Sequence, residues 1–134
     1  MGSVAKVIAL VLLAALAFVA NAYASLYFAG YMFPRIEPRP YVEMVGAAVA
    51  GGVAAAVVTA WPLARLYADR AWLAALVVAA PVVALRVGDL LHYGQLEEPR
   101  IIAMSLVELL LYPALILGGV WVASHLRTGK PNAA

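Results

Sequence analysis

Arg86, Asp89 and Glu108 stand inside long hydrophobic stretches, where charged side chains are out of place. A charge in the interior of a bilayer costs about 2.5–3.5 kcal/mol on insertion scales, so it needs a partner or a task. Asp89 follows Arg86 by three residues, which puts both on one face of a helix. Asn21 and Ser25, and Ser105 and Tyr112 on either side of Glu108, add neutral hydrogen-bonding groups at a similar depth. Three roles are open to this set. In the first, an arginine–carboxylate pair with satellite hydrogen bonds fixes the register of two helices, with Arg86 partly reaching outward. In the second, the set lines an outward-opening polar cavity that binds a small ion or polar solute, with Glu108 or Asp89 titrating. In the third, the site is shared with another protein.

Other chemistry is thin. The 134 residues contain no cysteine, which excludes a disulfide framework, a thiolate metal site and a cysteine nucleophile. His92 and His125 close different hydrophobic stretches at opposite ends, separated by roughly the 30 Å of the hydrocarbon core. One chain cannot bring both to a single haem or zinc, so no metal and no cofactor is expected. The serines show no nucleophile elbow, and no glycine loop is built to cradle a phosphate. No catalytic residue is assigned.

The elements that must position the polar set are apolar throughout. Hydrophobic residues make up 66% of the chain and charged residues 12%, against about 25% charged in ordinary soluble domains. Nine Lys and Arg, scattered and giving a net charge of +2, are too few for a nucleic-acid footprint. Four stretches, 4–33, 42–63, 71–91 and 101–126, are long enough for spanning helices, which need about 20 apolar residues each. The strict alternation of a barrel is absent. The expected fold is all-α: a polytopic membrane protein with four transmembrane helices in two antiparallel hairpins, forming one domain over 1–134. A connection with three prolines at 33–40, a polar bend at 64–70 after Trp61-Pro62, and a turn at 94–99 separate the helices.

Two packing expectations follow from hairpin arithmetic. Pairing about the turn at 94–99 sets Arg86 opposite Glu108, each roughly 13 Å from the turn along its helix. Pairing about the first turn sets Tyr23 beside Gly52 and Tyr27 beside Ala48, a tyrosine ridge in a groove of small residues.

Five basic residues (Lys6, Arg65, Arg70, Arg127, Lys130) flank one side of the spans and three (Arg35, Arg39, Arg100) the other. This favours cytoplasmic termini. The first 24 residues also resemble a secretory signal, but the apolar run continues through Gly30, and a retained helix is expected. Heavy use of Ala, Val and Leu suggests a prokaryotic inner membrane. The expected partners are the lipid bilayer and a membrane-protein partner or further copies of the chain, with no nucleic acid. The expected function is a non-enzymatic accessory or interaction subunit of a membrane complex. The alternative is a small oligomeric transporter or channel-like protein using the polar cluster, and an integral membrane enzyme comes third.

Overall fold

The computed structural model describes residues 2–32, 41–94 and 99–129, and the secondary structure among them is helical. The connection expected at 33–40, Glu97, Glu98, Lys130 and the side chain of Tyr31 lie outside the described residues. The helices α1 (Ser3–Met32), α2 (Tyr41–Tyr67), α3 (Ala71–Tyr93) and α4 (Pro99–Thr128) follow in order, and a short 3-10 turn, Ala68–Arg70, joins α2 to α3. Three continuous helical runs are long and apolar enough to cross a membrane: Ser3–Gly30, Tyr41–Tyr93 and Pro99–Thr128. The middle run has 53 residues, where about 20 suffice for one crossing.

That run breaks later than the Trp61-Pro62 pair suggests. Proline removes the N–H that would bond the carbonyl four residues back, which normally kinks or ends a helix. Here α2 continues through Pro62 to Tyr67. Side chains near the proline take up backbone carbonyls: Thr59 Oγ1 donates to the Ala55 carbonyl at 2.7 Å, and Arg127 Nη1 to the Ala64 carbonyl at 2.9 Å. The break falls instead at Ala68, whose φ of 40° lies in the left-handed region. An alanine there stores about 1–3 kcal/mol that its surroundings must offset.

Helix α2 is the centre of the assembly. Its glycines let both neighbours approach closely. A Cβ at Gly46 would strike the Phe28 ring, and one at Gly51 would strike Asn21 and Ser25 of α1. One at Gly52 would strike Leu115 of α4. Farther along, Gly119 of α4 fits against Ala56 and Ala60. These contacts run antiparallel between α1 and α2 but parallel between α2 and α4. The parallel seam is a contact that pairing consecutive helices does not anticipate. Beyond it lies an apolar core of Leu13, Ala17, Leu63, Val78, Val82 and Ile116 with surrounding alanines.

The tyrosine ridge is corrected. Tyr23 and Tyr27 are 74% and 60% exposed, and Gly52 meets Leu115 and Tyr112 instead. Ala48 is buried, and the tyrosines border an outer groove with Ala50 and Ala54 of α2. The cause is the helical step of about 100° per residue: turning Asn21 inward turns Tyr23, two residues on, to the opposite side. An amide turned toward apolar neighbours without a partner costs several kcal/mol, whereas a tyrosine ring tolerates either side. Asn21 and Ser25 therefore win the contact with α2.

The Gly119 approach gives a direct test of the α2–α4 seam. A Cβ added at Gly119 would lie 3.2 Å from the Ala60 Cβ and 3.4 Å from the Ala56 Cβ, atoms tied to backbone that cannot swing away. Gly119→Val is expected to destabilise the fold by about 1–3 kcal/mol. Gly118, with nothing within 4 Å of its Cβ position, is expected to accept alanine within about 0.5 kcal/mol. Reversible unfolding in detergent micelles compares the two.

Candidate functional site

The polar residues meet near the end of α1 that follows Ala17, where α3 and α4 bring their charges together. Arg86 Nε donates to Glu108 Oε2 at 2.6 Å, and Arg86 Nη1 donates to Asp89 Oδ2 at 2.7 Å. The remaining Glu108 oxygen accepts from Asn21 Nδ2 at 3.0 Å. Three helices thus converge on one carboxylate, whose side chain is 0% exposed while Arg86 keeps 19% and Asp89 23%. The two Arg86 bonds are short and charge-assisted, the strong kind of hydrogen bond. With Glu108 fully buried, they are what makes its charge tolerable.

The other polar residues take secondary positions. Ser25 is one turn from Asn21, but its hydroxyl donates to the Ala47 carbonyl at 2.9 Å, tying α1 to α2. Ser105 and Tyr112 share the buried face of α4 with Glu108. Their hydroxyls, like Asn21 Oδ1, have no hydrogen-bond partner among the described residues. The structure therefore joins Asn21, Arg86, Asp89 and Glu108 by direct contacts, and sets Ser25, Ser105 and Tyr112 around them.

The cluster borders open space. A cavity of about 350 Å³ lies between α1 and α3, with α2 and α4 behind it. Asn21, Ser25, Glu43 and Arg86 supply its polar lining, and Phe18, Leu26, Leu85 and Met104 part of its apolar wall. Glu108 does not reach this space. It stands behind Asn21 and Arg86 and holds both.

Glu43 is the site residue that sequence reasoning missed. Its neighbourhood of prolines and charges reads as the end of a connection, yet it is 1% exposed and faces the cavity from the first turn of α2. The available signal was spacing. Glu43, Ala47 and Gly51 follow one another at intervals of four, so Glu43 extends the face that packs against α1.

The histidines stay apart from this site. His125 Nδ1 is 2.9 Å from the Trp121 carbonyl, and His92 rests edge-on against Tyr93. Among the described residues no group of three His, Asp or Glu is placed to hold a metal ion. The arrangement offers hydrogen-bond donors and a fixed charge distribution beside a cavity. It holds no nucleophile paired with a base. No family model matches the chain, and neither does any curated protein or solved structure.

Proposed function

We propose that the protein is a multi-pass membrane protein whose task is binding, with a small polar or amphipathic molecule held in the cavity beside Arg86. In this reading the chain crosses a prokaryotic inner membrane four times, as two antiparallel hairpins with both termini on the cytoplasmic side. The helical lengths support it, as do the many large apolar side chains left exposed, such as Leu26, Val57 and Leu110. Exposure on that scale in water marks an interaction surface or an aggregation hazard; in lipid it is ordinary. The distribution of Lys and Arg supports the orientation. The observation that carries the binding reading is that the polar cluster is not sealed: Asn21, Ser25 and Arg86 line space large enough for a ligand.

A chain without cysteine makes the test simple. Single cysteines at Ser25 (cavity), Tyr23 (lipid-facing) and Thr59 (0% exposed) are compared in membranes with a small membrane-permeant maleimide. Ser25→Cys is expected to react, since the polar groups around it let its thiol ionise, and Tyr23→Cys and Thr59→Cys to stay inert. If Ser25→Cys is as inert as Thr59→Cys, the cavity admits no small molecule and the binding reading fails.

A second reading, an accessory subunit of a larger membrane complex, draws on a different feature. A shallow groove between α2 and α4, flanked by Ala60, Trp61, Gly118 and Trp121, presents small residues to the surroundings. A partner helix packs closely on such a surface. Mass spectrometry of the protein purified in mild detergent decides it, since a stable preparation with no second protein bound removes this role.

A further inference from the structure

We infer that the cavity takes the head of a neutral, single-chain amphiphile dissolved in the membrane, one whose head carries hydroxyl or carbonyl oxygens and which enters sideways between α1 and α3. This inference rests on the cavity being a binding site and adds the chemistry of its ligand. Three observations lead to it.

The first is where the cavity opens. Its rim residues Phe18, Leu26 and Leu85 are 38%, 73% and 47% exposed, so its mouth lies on the apolar outer surface between α1 and α3. Toward the beginning of α1 those helices meet in the core, where Leu13 and Ala17 are buried with Val78 and Val82. Beyond Ala17, beside the polar cluster, the cavity lies between them. A molecule reaching Arg86 by this path passes apolar walls first and polar groups last, the profile of an amphiphile.

The second is the charge left facing the space. Two Arg86 N–H groups are taken by Asp89 and Glu108, and its other N–H groups have no partner among the described residues. What remains open is donor capacity on a cation that two carboxylates already outweigh. A cationic head brings no lone pair to accept from these donors, and Glu43, the other charged group lining the space, already has an interaction of its own. An anionic head would lose its hydration to face a site whose positive charge is spent. A neutral oxygen accepts from Arg86 without either cost. The Ser25 hydroxyl, its proton committed to the Ala47 carbonyl, keeps lone pairs that accept from a hydroxyl on the same head.

The third is size. About 350 Å³ sits near the lower limit of small-molecule sites. It holds a glycerol-sized head and the start of one chain, and it excludes a lipid with two chains packed side by side.

The experiment uses the full chain in phosphatidylcholine nanodiscs and three photoreactive probes of equal chain length: a monoacylglycerol, an alkyl phosphate and an alkyltrimethylammonium. The monoacylglycerol probe is expected to label the segment from Phe18 to Ala29 saturably, with unlabelled monoacylglycerol competing and the charged probes labelling about tenfold less. Ala22→Phe fills the cavity without touching the ion pair, and is expected to reduce the labelling about tenfold while leaving the unfolding midpoint in place. Arg86→Lys, which keeps the charge but loses the guanidinium fork, is expected to reduce it as well. Stronger labelling by either charged probe overturns the head chemistry. Unsaturable labelling that is equal at Leu110, on the exposed face of α4, reveals ordinary surrounding lipid and overturns the site. If no probe labels the cavity but Ser25→Cys reacts with the membrane-permeant maleimide, the amphiphile falls and the binding reading stands; if Ser25→Cys is inert too, both fall.

Discussion

Arg86→Met is expected to destabilise the protein by about 3–5 kcal/mol, and the double substitution Arg86→Met with Glu108→Met to restore most of that loss. The single change leaves Glu108 as a carboxylate with no exposed side-chain surface and only the Asn21 amide to hold it. A buried charge deprived of its counterion is among the most destabilising lesions a fold can carry. Removing the carboxylate as well removes the uncompensated charge, and methionine adapts to the vacated volume. Asp89 is part of why the recovery is incomplete: it loses its 2.7 Å contact with Arg86 but retains 23% exposure through which water or headgroups reach it. A charge swap is a poor substitute for this cycle. Glutamate at 86 would face Asp89 three residues on, and arginine at 108 would occupy a fully buried position shaped for a shorter side chain. Denaturant titration of the four variants gives the coupling energy; a double variant no more stable than Arg86→Met would show that the pair is not the unit holding these helices.

Gly51→Ala is expected to cost about 2–3 kcal/mol, and clearly more than Gly46→Ala, although both add a single methyl group. At Gly51 the added Cβ lies 2.8 Å from the Asn21 backbone carbonyl and closer still to Asn21 Oδ1 and Ser25 Oγ. A carbonyl in mid-helix cannot turn aside, so α1 as a whole has to move outward. That movement draws Asn21 away from Glu108 and Ser25 away from the Ala47 carbonyl, and such interhelical bonds are worth about 0.6–2 kcal/mol each. At Gly46 the obstruction is the far edge of the Phe28 ring, at 2.5 and 2.8 Å, which a change of rotamer relieves. Unfolding midpoints measured side by side check the order; equal losses would mean that α1 is not held by this approach.

The contact between Arg86 and Glu108 was legible because a short turn between two helices ties depth to sequence distance. Which face each helix presents was harder to read. The tyrosine stripe and the pair Asn21 and Ser25 occupy opposite sides of α1, so both could not face α2. Weighing the cost of burying an amide without a partner against that of exposing a phenol ring decides the matter from sequence, and that comparison favours Asn21. Glu43 was obscured by its neighbours: a carboxylate close to three prolines looks like part of a loop until the interval of four to Ala47 and Gly51 is counted. The parallel seam of α2 and α4 lay beyond local reasoning altogether. Two helices separated by a third share no turn to tie their depths, and here they meet at Gly52 and Gly119. The cavity is legible least of all, since it lies between α1 and α3, which are not consecutive in the chain.

The position of Glu108 has a consequence for how the chain is made. Asn21 and Arg86 emerge from the ribosome before it, and the carboxylate that satisfies both belongs to the last of the four helices. Until then the carboxylate in contact with Arg86, among the described residues, is Asp89 on its own helix. The earlier helices thus form an unfinished arch, and α4 is its keystone: a nascent chain that stops short of residue 108 keeps an amide and a guanidinium waiting for the carboxylate that joins them.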